Sequence, residues 1–227
     1  MKPNFAKATT GKGKFIVFEG ADGTGKSTQA KLLFNYLKKD KKDTVFFSFP
    51  NYQSAWGKMV RRYLDGEFGD VGEVSPYLAS MLYAGDRLLE SAKIRKWLGL
   101  GKLVVCDRYM VSNIAHQAAK IKDQKLKIKY IKWLEDLEYG ENKIPKPDLA
   151  ILLTIPENIA QKFMKMRVRD IHERNVSYQK KVAKVFGDLA KANKNWVVVA
   201  NTKAGKLKKI DEVHKEIIEI VKNKKVV

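Results

Sequence analysis

The octapeptide Gly20-Ala21-Asp22-Gly23-Thr24-Gly25-Lys26-Ser27 follows the apolar run Phe15-Ile16-Val17-Phe18 and leads into a stretch with helical spacing. Glycine, four residues, glycine, lysine and serine is the pattern of a loop that wraps phosphates between a strand and a helix. Gly20, Gly23 and Gly25 let backbone amides turn inward, and the helix beginning near Lys26 adds the positive end of its dipole. Lys26 is placed to reach the β- and γ-phosphates, and the Ser27 hydroxyl to ligate Mg²⁺. A plain glycine turn capped by serine needs neither the lysine nor the third glycine.

Four further runs, at 44–47, 103–106, 149–153 and 196–199, are apolar almost throughout, as strands covered on both faces must be. Helical spacing lies between them. Leu32, Leu33, Tyr36 and Leu37 share one face, Ile210, Val213, Ile217 and Val221 another. Two more helices are predicted at 55–64 and 76–97, the second stopped by Gly99 and Gly101. The alternation predicts an α/β fold: a five-stranded parallel sheet with right-handed crossovers and helices on both faces. Ligands of such sheets bind beyond the carboxyl ends of the strands. With no repeat or linker in sight, the expectation is a single domain over 14–227 behind a basic arm at 1–13.

Composition narrows the classes. A chain of 227 residues with 44% hydrophobic content buries a full core, which excludes disordered and fibrous classes. Cys106 is the one cysteine, so no internal disulfide forms and a cytoplasmic location is expected. No apolar run approaches the roughly 18 residues of a membrane span, and the first residues lack the apolar centre of a secretory signal. The net charge of +20 favours polyanions, either nucleic acid or a small phosphorylated substrate. Only eight of the 45 basic residues are arginine. The lysine runs read as a solvated face, which leaves nucleic acid as the lesser reading.

Asp107-Arg108-Tyr109 follows the third strand and faces the same crevice as the phosphate loop. An acid there can hold Mg²⁺ through water, and an arginine can clamp a phosphate bidentately. Tyr83 and Arg87, four residues apart, share a helix face.

The order and spacing of six segments resemble the thymidylate kinases, P-loop kinases that phosphorylate dTMP to dTDP with ATP and Mg²⁺. The segments are Phe18 to Gln29, Phe49-Pro50-Asn51-Tyr52, Asp86-Arg87, Asp107-Arg108-Tyr109 with Ser112-Asn113, Pro147-Asp148-Leu149, and His172-Glu173-Arg174. The resemblance runs from Phe15 to about Val221. It implies a P-loop kinase fold with a short lid, ATP on Gly20, Ala21, Asp22, Gly23, Thr24, Gly25, Lys26, Ser27 and Thr28, and Mg²⁺ at Ser27 and Asp107. It implies that Asp22 accepts a hydrogen bond from the sugar 3′-hydroxyl, that Tyr83 stacks on thymine, and that Arg87 bonds its carbonyl. Asn113 corresponds to the amide that reads N3, Tyr52 and Arg108 beside Phe49 to the groups on the dTMP phosphate, and Gln179 to a polar residue near base and sugar. Core packing for Tyr83 and a solvated face for Gln179 are the alternatives. His116 and His172 stand where many relatives have tyrosine or phenylalanine, which retunes selectivity for the base. A homodimer is also implied.

Phosphoryl transfer needs positive charge on the transferred group. Some thymidylate kinases carry an arginine in the phosphate loop where this chain has Gly23. The resemblance is to the variant with lid arginines, which makes Arg167, Arg169 and Arg174 the candidates, against a merely charged helix connection. Catalysis is thus expected from Lys26, Asp107, Arg108 and the lid. Two rivals stay open: a kinase for another or a broader set of nucleoside monophosphates, and a basic P-loop ATPase that binds nucleic acid.

Overall fold

A computed structural model describes residues 13–156, 158–160 and 170–227. Arg167 and Arg169 lie outside the described residues.

Strand β1 (Lys14–Glu19) runs into the phosphate loop and helix α1 (Lys26–Lys39). There follow β2 (Thr44–Ser48), α2 (Ala55–Asp65), α3 (Pro76–Gly99), β3 (Leu103–Asp107), α4 (Met110–Ala118) and α5 (Gln124–Glu135). A π-helical turn (Asp136–Glu141) leads to β4 (Leu149–Thr154), the one-turn helix α6 (Ile171–Arg174) and α7 (Val176–Ala192). The chain closes with β5 (Trp196–Ala200), a hairpin of β6 (Thr202–Lys203) and β7 (Lys206–Leu207), and α8 (Ile210–Asn223).

Local chemistry sets these limits. Ser54, Ser75, Asp123 and Asn175 each turn a side-chain oxygen onto an amide of the following helix. Pro76 opens α3, where its missing N–H costs nothing. Gly101, rather than Gly99, stops that helix. Gly101 adopts φ 80°, and the amides of Gly101 and Lys102 close back on Leu98 and Trp97, while Gly99 stays inside the last turn.

The five main strands are parallel in the order β2-β3-β1-β4-β5. In that register Phe18 stands level with Asp107 of β3 and with Ile151 of β4, so the carboxyl ends of all three open on one crevice. Alternate residues feed two cores. Phe15, Val17, Val104, Cys106, Ala150 and Leu152 pack with Tyr63, Ile94, Ile114, Tyr130 and Phe186. Ile16, Phe18, Val105, Ile151 and Val199 pack on the other face with Leu33, Leu37, Val213, Ile217 and Val221. Complete cover on both faces holds for the three inner strands only. On edge strand β5 Val198 is exposed, and on edge strand β2 only Thr44 is fully buried. Ile210 also departs from the sequence reading: as the first residue of α8 it is exposed and borders the cleft beyond the strand ends instead of the core. The β6–β7 hairpin was not foreseen either. Ala204 and Gly205, both at positive φ, turn it.

Candidate active site

Two connected spaces lie beyond the strand ends. The outer cleft, about 830 Å³, is floored by the phosphate loop and walled by Asp107, Arg108 and the region around Asn201, Leu207 and Ile210. The inner pocket, about 80 Å³, is lined by residues that include Tyr83, Arg87, Asn113, His116 and His172. Asp22, Phe49, Tyr52 and Arg108 line both.

The phosphate loop has the backbone its glycines allow. Gly20, Gly23 and Gly25 all lie at positive φ, and a Cβ on Gly20 would come within 2.6 Å of the Leu153 carbonyl oxygen. Thr24 ties the loop to itself through its hydroxyl on the Ala21 carbonyl, and Ser27 and Thr28 border the cleft. The Lys26 ammonium donates to the Ala21 carbonyl at 3.2 Å and stands 3.5 Å from Asp22. Burial first, and then repulsion from Arg108, bring Lys26 down from 10.5 to about 8.

Asp22 is the junction of the site. Its carboxylate receives the Arg108 guanidinium and, at 3.2 Å, the Gln179 amide. Burial opposes ionisation there, but Arg108 and then Lys26 outweigh it and hold the carboxyl well below its usual range. Gln179 is buried rather than on a solvated face, and it also donates to the His172 carbonyl at 2.9 Å. Arg108 occupies the left-handed region at φ 63°, a conformation few non-glycine residues adopt and one concentrated at functional sites. Asp107 is buried, and its Oδ1 has no hydrogen-bond partner among the described residues.

In the inner pocket Tyr83 is partly buried with its ring edge-on to Tyr63, 6.3 Å between centroids. Arg87 is fully buried and forks onto Glu138 of the π-helical turn, with Nε 2.8 Å from Oε2. Asn113 donates to the Ser80 carbonyl at 3.1 Å, and its Oδ1 has no hydrogen-bond partner among the described residues. Phe49 packs on Tyr109, and the Arg61 guanidinium lies 4.2 Å from the Tyr52 ring centroid. The His116 and His172 rings stack at 4.9 Å with 16° between planes. Burial takes His116 down to about 3 and His172 well below 6.5, so both are neutral at pH 7. Arg174 ends the one-turn helix α6.

Sequence reasoning passed over several groups the structure places here. Glu19, at the end of β1, is completely buried and accepts from the amides of Tyr109 and Ser112 at 3.0 and 3.2 Å. A carboxylate closing an otherwise apolar strand was the available signal, since a buried charge demands partners. Asn201 donates to the Thr24 carbonyl and so joins β5 to the phosphate loop. Glu138, Tyr63 and Lys120 stand behind the pocket lining and carry no local signal, because topology alone brings Glu138 to Arg87, Tyr63 to His172 and Lys120 to Tyr63.

Comparison with known proteins agrees with this geometry. The family model described as thymidylate kinase matches residues 18–217. Over 215 residues the chain is 32% identical to the thymidylate kinase of Plasmodium falciparum, covering 95% of this chain and 92% of that one. It is 35% identical to a probable thymidylate kinase of Methanocaldococcus jannaschii over 92% of this chain and 96% of that one. Among solved structures, thymidylate kinase from Candida albicans superposes with a TM-score of 0.79 at 27% identity, over 96% of this chain and 95% of that one. The loop, the crevice and these relatives together make this chain a member of the thymidylate kinase family.

Proposed function

We propose that the chain transfers the γ-phosphoryl group of ATP to the phosphate of dTMP, giving ADP and dTDP. One observation carries the reading: the outer cleft and the inner pocket meet at Asp22, Tyr52 and Arg108, which line both. A donor phosphate chain on the loop and an acceptor phosphate at that junction face each other directly. An acceptor phosphate oxygen attacks the γ-phosphorus, the bond to the β–γ bridging oxygen breaks, and the electron pair leaves with ADP. A phosphate nucleophile needs no general base, so catalysis is positioning and charge stabilisation.

In this reading the amides of the 20–28 loop and Lys26 cradle the ATP phosphates, and Arg108 and Tyr52 hold the acceptor phosphate. The donor set suits Mg²⁺, which takes one or two carboxylates and completes its shell with phosphates and water. The orphaned Asp107 Oδ1 and the Ser27 hydroxyl border the same cleft. When bound, Mg²⁺ neutralises charge on the phosphates. Arg167, Arg169 and Arg174 supply the transition-state cation that Gly23 cannot. Tyr83 stacks on the thymine ring, Arg87 bonds its carbonyl, Asn113 reads N3, and Asp22 accepts from the sugar hydroxyl with Gln179 beside it.

A homodimer in the cytoplasm belongs to the same proposal. Leu78, Met81, Leu88 and Leu89 of α3 with Trp56 of α2 are exposed, and an apolar group of that kind suits a second copy. Lys26→Ala tests the reaction. Loss of at least about 10²-fold in dTMP-dependent ADP release with retained fold is expected, and normal turnover overturns the loop assignment.

A further inference from the structure

We propose that His172 offers an Nδ1–H donor to an acceptor oxygen of the nucleoside in the inner pocket, and that Tyr63 and Lys120 are positioning residues that fix this tautomer. The proposal rests on the reading of that pocket as the acceptor nucleotide's.

The direction of each proton follows from what each group can do. A lysine ammonium only donates. Lys120 gives one hydrogen to the Tyr63 oxygen at 3.0 Å and another to the Val74 carbonyl at 3.2 Å. Burial brings Lys120 down to about 8, so it is still an ammonium at neutral pH. The Tyr63 oxygen receives from Lys120 and also has the buried Gln117 side chain beside it, and its hydroxyl turns its own hydrogen to His172 Nε2 at 2.8 Å. Burial also keeps Tyr63 protonated. A neutral imidazole carries one proton, so accepting at Nε2 leaves that proton on Nδ1.

Packing then holds the ring. His172 lies against His116 at 4.9 Å and edge-on to Tyr63 at 5.4 Å, and Gln179 anchors its carbonyl. His172 lines the inner pocket together with Asp22, Asn113 and Asp170, whose carboxylate accepts from the His172 amide at 2.9 Å. A phenylalanine in this place would give the same surface without a donor. The ligand chemistry is therefore a nucleoside oxygen that accepts a hydrogen bond, either a base carbonyl or a sugar oxygen.

Two measurements test this. ¹⁵N NMR of histidine-labelled protein without nucleotide reads the tautomer: His172 Nε2 should be unprotonated and Nδ1 protonated. Steady-state kinetics then compare the unaltered protein with Tyr63→Phe, using dTMP, its 2-thio and 4-thio analogues and 3′-deoxy-dTMP. Loss of one neutral hydrogen bond corresponds to about a five- to tenfold rise in KM for dTMP with kcat little changed. That rise should vanish for the one analogue lacking the oxygen that His172 contacts, which separates base from sugar. Lys120→Met should move KM the same way and stands in if Tyr63→Phe does not fold. A proton on Nε2 overturns the inference, as does a KM penalty that is absent or equal for all acceptors. Failure of the unaltered protein to turn over dTMP at all would instead remove the reading of the pocket, and this inference with it.

Discussion

Glu19 and Ser112 are joined twice: the buried carboxylate at the end of β1 accepts from both the backbone amide and the hydroxyl of Ser112 in the first turn of α4. A residue of one element thereby caps the helix of another. The helix begins two residues beyond Arg108 and carries Asn113 and His116, so one carboxylate fixes the phosphate loop relative to the inner pocket. Burial raises the Glu19 carboxyl, partly offset by these hydrogen bonds.

Glu19→Gln should therefore cost both stability and rate. The amide keeps a single acceptor oxygen where the carboxylate had two, leaving at least one donor of α4 poorly matched. A loss of about 1–3 kcal/mol is expected in urea denaturation. The kcat for dTMP should fall about tenfold or more as Arg108 loses its fixed placement. Wild-type kcat in a destabilised Glu19→Gln protein would confine Glu19 to the fold.

Arg87 and Glu138 form a fully buried pair, and breaking such a pair strands a charge. Glu138→Ala should destabilise by about 3–5 kcal/mol, and Arg87→Met by a similar amount. The double variant Arg87→Met/Glu138→Leu strands nothing and should regain most of that loss. It should not regain dTMP affinity if Arg87 bonds the thymine carbonyl as proposed. Thermal denaturation and the dTMP KM, measured on all three, separate stability from recognition.

Acid should weaken the fold from pH 6.5 downward. His116 is held down to about 3, and His172 is also lowered, so between those values the unfolded chain binds protons that the native state refuses. Stability then falls as pH falls, by about 1.4 kcal/mol per pH unit for each histidine that is neutral when folded and protonated when unfolded. His116→Phe should flatten this slope by up to one such increment in urea titrations between pH 6 and 4. An unchanged slope would mean that His116 protonates in place.

Legibility from sequence followed the range of the interactions. The phosphate loop, the five strands and helices α1, α2, α3 and α8 depend on residues adjacent in the chain and were readable from glycine placement and periodicity, whereas α5 and α7 were not placed. The Asp107-Arg108 step was readable too, because strand ends share one crevice in a parallel sheet. Contacts across long intervals were not. Glu138 reaches Arg87 from 51 residues away, and Lys120 reaches Tyr63 from 57. Ile210 fitted the helical period but sits in the first turn, where the helix has moved past the edge of the core. For Gln179 the sequence left a site residue and a solvated face both open; the packing of α7 against α4, which turns it onto Asp22, removes the solvated face.

ADP release with Mg-ATP across a panel of nucleoside monophosphates tests the central claim most directly. In the proposed reading Tyr83, Arg87 and Asn113 are matched to thymine, and a polar site rejects a ligand that leaves its groups unpaired. Acceptor-dependent ADP release that is fastest with dTMP and slow with AMP and GMP is expected. Faster release with AMP or GMP, or release that needs no acceptor, would contradict it.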